Sequence, residues 1–495
     1  MRYTQLALLL VLVLPRLALA CSCAALRINS VLVYGQSRST AGNSTPVIDL
    51  TAQYPTLTTT FLCTNSNPCG TLMTDVSNVI LDPTKITGFE DLVETTTGET
   101  VCSGLVNSMN DDSSYRANCA SNGWGAQSIA NLSRSHAASN VTCAALPGSP
   151  TVGEFYCNLM VRVRQELILA AQATPPTTVL FSGMPFLDGE ADVDIGTTGA
   201  AYEASLVQMW TDVNSDIPAI QADVKLTFPT VYIQTEKVHL FIDQVMSGWA
   251  TGAHATNPIA MANLQAAIDH PNMMTLVDSP YNVAYSTANH QHFTGQTEQN
   301  WGDQAKKAWK NVVVGGATEV SAIPYPLTAK LVDSTHIDIK TTAGVPPLVI
   351  DETWRASPNG AAEGFEYTDT SGSPPTISSV AVLGDGVTVE LTMSGAVNLA
   401  NSPTVAYAYT ASGTNGSGCT QSANGSPVAP CFGNGGSVRD SDTAMSRIDN
   451  SQCTAHFLAG TLTRNCCFGN GTGSCGASTH LYNPLAEFDH MAVTL

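Results

Sequence analysis

The chain has 495 residues, only 12% of them charged, and a formal net charge of −20. That length exceeds what a single core usually organises, so one large domain and one smaller are expected. Lys and Arg are scattered singly, which excludes the basic footprint that nucleic acid or an anionic membrane surface requires.

The amino-terminal stretch MRYTQLALLLVLVLPRLALAC joins an early cation to an apolar run too short to suit a membrane span, and places Ala18-Leu19-Ala20 before Cys21. Residues 1–20 therefore read as a secretory signal peptide, with Arg16 unusually close to the cleavage point, and a secreted or extracellular location is expected. Cys21 directly after that point also admits a lipid anchor, so simple secretion and lipidation both stay open. Fourteen cysteines in an exported chain favour disulfides over metal or redox use. Eight lie between Cys21 and Cys157 and six between Cys419 and Cys475, which staples the two ends and leaves the 261 residues between them without a cysteine. The spacings show no paired C-x-x-C pattern, and no metal is assigned.

In chain order, INSVLVYG (28–35), TTVLFSG (177–183), LTFPTVYIQ (226–234) and MMTLVDSPYNV (273–283) are short apolar or β-branched runs bounded by turn formers. Each reads as a strand. Between them FYCNLMVRVRQELILAAQ (155–172), AYEASLVQMWTDV (201–213) and NPIAMANLQAAID (257–269) have helical spacing. Strands alternating with helices of that length predict βαβ units and a parallel sheet covered on both faces, with functional groups gathered outside the carboxyl ends of the strands. A last helix follows His292, with Trp301, Ala305, Ala308 and Trp309 on one face. Near residue 316 the texture changes to period-two segments such as TAKLVDSTHIDIKTT and TISSVAVLGDGVTVELTMSG. Residues 317–495 therefore read as an all-β, sandwich-like module with disulfides in its long loops.

Four stretches can carry chemistry. Gly35-Gln36-Ser37 lets a hydroxyl stand clear at the end of a strand, although a lone GQS also describes an ordinary turn serine. Gly123 to Ser133, GWGAQSIANLS, opens a helix with small residues whose N–H groups can face a developing oxyanion. Leu187 to Asp194, LDGEADVD, gathers four carboxylates after a strand, without the order of a calcium loop; a solvated acidic turn is the alternative. Asn289 to Gly295, NHQHFTG, offers His292 as a base, with half a metal site or a plain loop as the alternatives.

The order of these blocks resembles that of the SGNH hydrolases, specifically the sialate O-acetylesterase-like carbohydrate esterases, over roughly residues 28–312. That family reads GQSN, then G-G-T-S-I, then QGE-S/A-D, then D-x-x-H. Here Gly35-Gln36-Ser37, Gly125-Ala126-Gln127-Ser128-Ile129, Gly189-Glu190-Ala191-Asp192 and His292-Phe293-Thr294 stand in the same order. The resemblance implies an α/β fold with a three-layer, flavodoxin-like parallel-sheet domain over 21–316, ahead of the β-rich module that the period-two texture places over 317–495. It implies Ser37 as nucleophile, His292 as general base, and the N–H groups of Ser37 and Gly125 as part of the oxyanion hole. Gln36 and Arg38, flanking the serine, are the candidate substrate-binding side chains. The activity implied is removal of O-acetyl or similar short acyl groups from carbohydrates through an acyl-serine intermediate, with no cofactor, and with glycan contact through the β module as an added expectation. A catalytically impaired domain that only binds glycan or attaches to a surface is the alternative.

Three positions depart from the family pattern. Asn289 stands where the family has an Asp, Asp188 where it has a Gln, and Arg38 where it has an Asn. In a serine triad an Asp-to-Asn change costs about four orders of magnitude through the wrong imidazole tautomer. The first two departures are reciprocal, so Asp188, or else Glu190, is expected to orient His292 while Asn289 supplies an amide. Arg38 reads as a surface residue or as a grip on a substrate carboxylate.

Overall fold

The computed structural model describes residues 27–39, 41, 44, 47, 49–50, 52–63, 72–74, 81–94, 98–111, 115–125, 127–245, 257–279, 281, 292–293, 295–342, 344–352, 357, 359–409, 435–444 and 481–495. The signal peptide, Cys21 and Asn289 lie outside them.

Among the described residues the first part of the fold has ten strands: β1 (Arg27–Gly35), β2 (Thr58–Cys63), β3 (Leu72–Thr74), β4 (Ile86–Asp91), β5 (Arg116–Gly123), β6 (Asn140–Thr142), β7 (Thr151–Gly153), β8 (Thr178–Leu187), β9 (His239–Asp243) and β10 (Met274–Asp278). The main sheet runs β10-β9-β8-β1-β5-β2-β4, with β3 also on β5, and β6 and β7 form a separate small hairpin. Pairing is parallel except where β4 meets β2. Strand β1 sits centrally, and its side chains alternate between two cores, as the pleat of a sheet buried on both faces requires. Leu32 and Tyr34 enter one core, and Val31 and Val33 the other.

Among the described residues seven α-helices cover these faces: α1 (Val101–Asp111), α2 (Ile129–Leu132), α3 (Glu154–Gln172), α4 (Glu190–Ile195), α5 (Gly199–Thr227), α6 (Pro258–Asp269) and α7 (Gly295–Trp309). The apolar residues of α3, α5 and α6 join the core of Leu32 and Tyr34, and those of α1 and α7 join that of Val31 and Val33. Trp301, Ala305, Ala308 and Trp309 are buried on the inner face of α7, as its spacing predicts.

One predicted strand is not found. The run LTFPTVYIQ contributes the end of α5, which continues through Thr227, and an irregular segment; the strand forms later, at His239–Asp243. Burial explains the choice. Tyr232 and Ile233 are exposed, whereas all five residues of β9 are buried.

Two disulfides tie helices into this frame. Cys102 on α1 bonds to Cys119 on β5, and Cys143 bonds to Cys157 on α3, over 17 and 14 residues of chain. Replacing Cys102 and Cys119 together by serine is expected to cost about 3 kcal/mol, read from the denaturant midpoint, because a loop of this length loses that much closure entropy when cross-linked. A midpoint unchanged from the native chain would contradict it.

The second sheet is largely antiparallel. Its spatial order is Phe365–Thr368, Thr404–Tyr407, Phe488–Thr494, Pro326–Leu331, His336–Thr341, Thr388–Met393 and Ile377–Val382. It surrounds a core that includes Ile337, Ile339, Phe365, Leu391, Tyr407 and Phe488. The first sheet reaches past residue 316: Leu276 N–H donates to Val320 O at 3.0 Å, and Ala322 N–H donates to Leu276 O at 2.8 Å.

The two sheets are stitched at the carboxyl edge of the first. Gln244, just after β9, donates through Nε2 to Glu487 O and accepts the Glu487 N–H, both at 2.8 Å, while the Tyr281 hydroxyl donates to Leu485 O at 2.6 Å. On α7, Lys307 Nζ is 2.6 Å from Asp442 Oδ2. No helix among the described residues is long and apolar enough to cross a membrane.

Candidate functional site

The carboxyl end of β1 must pass very close to β8. Gly35 has φ +151°, and a Cβ there would strike the carbonyl of Leu187, so only glycine fits. Gln36 N–H then donates to Leu187 O at 3.0 Å. The chain turns at once, closed by Ser39 N–H on Gln36 O at 2.9 Å and by Ser39 Oγ on Gln36 O at 2.6 Å and Asn122 O at 3.1 Å. Ser37 occupies this turn half-buried, between a Gln36 and an Arg38 that are 1% and 2% exposed.

The second block is tied to the first by Trp124 N–H, which donates to Gly35 O at 3.3 Å. Gly125 follows it, exposed, with open space where a side chain would project. The third block is tied to the second by Asp192, whose Oδ2 accepts Ile129 N–H at 2.8 Å at the start of α2 and whose Oδ1 accepts Thr197 Oγ1 at 2.8 Å. The first block meets the third through Glu190. Gln36 Nε2 donates to Glu190 Oε2, and Arg38 Nη1 is 3.0 Å from Glu190 Oε1. Arg38 Nη2 also bonds Asp243 Oδ2 at the end of β9.

The fourth block closes the ring. The Arg38 guanidinium lies 4.0 Å from the centroid of the Phe293 ring, a cation–π contact made away from water. The residue after Ser37 thus stacks on the residue after His292. Burial lowers the His292 pKa below its ordinary value, Arg38 lowers it further, and Glu190 opposes the shift. Burial lifts Asp243 to about 6, held down from a higher value by Arg38. Burial also holds Asp188 well above the usual carboxylate range, with Asp192 and Glu190 adding to it.

These placements sort the predicted residues. Arg38 is neither on the surface nor available to a substrate carboxylate: its guanidinium is buried and committed to Glu190 and Asp243. Gln36 is likewise buried and turned onto Glu190, so both side chains serve the protein's own carboxylates. Of the two acids expected to orient His292, Glu190 is the one whose charge acts on the ring. The Asp188 carboxyl turns instead toward the Tyr202 hydroxyl, at 3.4 Å, and toward Asp192. Asp243 was missed by sequence reasoning, although a signal was there: HLFID ends an apolar strand in a carboxylate at the sheet's carboxyl edge.

No family model matches the chain, and no curated protein matches it by sequence. Solved structures do. A carbohydrate acetylesterase from Xanthomonas citri is 13% identical, with 77% of this chain and 75% of that chain covered and a TM-score of 0.49. A protein from Arabidopsis thaliana is 13% identical over 58% of this chain and 99% of its own, with a TM-score of 0.33. A carbohydrate acetylesterase family member from Sinorhizobium meliloti is 12% identical over 58% and 100%, with a TM-score of 0.29.

Proposed function

We propose that this chain is a secreted serine esterase that removes O-acetyl or similar short acyl groups from carbohydrates. The observation that carries the reading is the contact of Arg38 with Phe293, which joins the Ser37 turn to the His292 segment, with Glu190 beside both. In this reading residues 21–316 form the esterase domain and 317–495 a supporting β-rich module. The substrate class comes from the order of the four motifs.

The chemistry follows from the roles. His292, neutral because burial lowers its pKa, takes the Ser37 proton as Oγ attacks the acyl carbonyl. Glu190, fixed by Gln36 and Arg38, orients the ring and stabilises the imidazolium that forms. The N–H groups of Ser37 and Gly125 receive the oxyanion. His292 then protonates the departing sugar oxygen, which leaves as a hydroxyl, and water, activated by the same ring, releases the carboxylic acid and regenerates the serine.

Treatment of the intact chain with a fluorophosphonate probe is expected to place one adduct on the peptide carrying Ser37. Acetate release from an aryl acetate and from O-acetylated glycans should accompany it. A chain unlabelled at Ser37 and without acetate release would overturn the reading and leave a cleft that binds without hydrolysing.

A further inference from the structure

Asp188 and Asp192 bring two carboxyl groups within hydrogen-bonding reach of each other in a region closed to water, 1% and 0% exposed. An ionised carboxylate only accepts hydrogen bonds, so two in contact require a proton between them. Their partners decide which of the two holds it. Asp192 is fed by two good donors, the Ile129 N–H and the Thr197 hydroxyl, each at 2.8 Å, and both favour its anion. Asp188 has only the Tyr202 hydroxyl, at a long 3.4 Å, and that hydroxyl lies nearer to Asp188 O, at 3.0 Å. Its Oδ1 is buried and receives no donor. As an anion, Asp188 would be a nearly unsolvated charge beside Asp192 and Glu190. As an acid, it is a donor with an acceptor in reach.

We propose that Asp188 is a neutral carboxylic acid that donates its proton to the Asp192 carboxylate, and so stands uncharged at the position where the resembling esterases carry an amide. The titratable groups around it are Asp192 and Glu190 on α4, Tyr202 on α5 and Tyr34 at the end of β1; none of them supplies a cation. Arg38, the nearby cation, is committed to Glu190 and Asp243. The catalytic consequence, an uncharged side chain in place of a carboxylate that would repel a developing oxyanion, rests on the esterase reading. The position of the proton does not.

The test compares the intact chain with Asp188→Asn by reversible unfolding from about pH 5 upward. A carboxyl protonated in the folded state and ionised in the unfolded one binds an extra proton on folding, and its contribution is lost as pH rises toward its folded value. The native folding constant is therefore expected to fall about tenfold per pH unit relative to the variant. A ratio that does not change with pH would overturn the proposal. Asp192→Asn, which presents an amide donor to Asp188 and lets it ionise, should abolish the same slope, and it decides the matter if Asp188→Asn does not fold. Unfolding is read without substrate, so a native chain inert toward acetyl esters would count against the esterase reading alone.

Discussion

Replacing Ser37 by alanine is expected to lower kcat/KM for acetyl esters by about four to six orders of magnitude, leaving only the catalysis that binding and the oxyanion donors provide. The fold should be untouched. Ser37 is half-buried in a turn closed by Ser39 on Gln36 and Asn122, and Gly35 sets the approach to β8, so the hydrogen bonds that close the turn are all retained in the variant. An unchanged thermal midpoint beside a lost rate separates chemistry from stability, whereas equal rates in variant and native chain would remove Ser37 from the mechanism. The pH profile adds a signed expectation. Burial and Arg38 lower the His292 pKa, so the base form persists into more acidic solution, and the acid limb of kcat/KM should lie below the ordinary histidine range near 6.5. An acid limb above that range would assign the base elsewhere.

Arg38→Met should produce the largest loss of stability, about 3–5 kcal/mol at pH 8, because it strips a buried cation from the carboxylates it compensates. Burial holds Asp243 at about 6, Asp278 at about 7 and Glu298 at about 8, and Arg38 pulls each of them down. Without it they rise further. A carboxyl whose folded pKa is raised contributes fully below its unfolded value and loses that contribution as pH climbs through the folded one. The deficit of the variant should accordingly be small near pH 4 and open between about pH 6 and 8. Activity should fall as well, on the order of a hundredfold, since Glu190 loses one of its two anchors. Urea titrations at two pH values check the first expectation, and a deficit equal at both would contradict it.

Local chemistry made much of the frame legible, and long-range pairing hid the rest. The amphipathic faces of α3 and α7 and the apolar run of β1 are each written within a few residues, and each forms where the periodicity places it. Strand β5 gives no such sign. Its RANCASNG buries Asn118, Ser121 and Asn122, polar residues with strand neighbours on both sides, and nothing in the segment announces a central strand. The four blocks were readable as motifs because each turn is local. The role of Arg38 was not: Asp243 lies 205 residues further on, and only the completed β8-β9 pairing brings the two together. The division of labour between Asp188 and Glu190 depends on Gly189, whose φ of +128° turns two neighbouring carboxyls to different partners. No spacing rule reads a sign of φ.

The stitch between Gln244 and Glu487 has a consequence for biosynthesis. The two residues are 243 positions apart, so at about 5–20 residues per second Glu487 leaves the ribosome roughly 10–50 s after its partner. Throughout that interval the edge that carries Asp243 lacks its backbone partner, while the cysteines of the Cys102–Cys119 and Cys143–Cys157 disulfides have long emerged. Oxidation of the first half can therefore precede assembly of the site. A nonsense mutation that removes residues 481–495 would yield a chain with those cross-links formed and the support behind Arg38 absent.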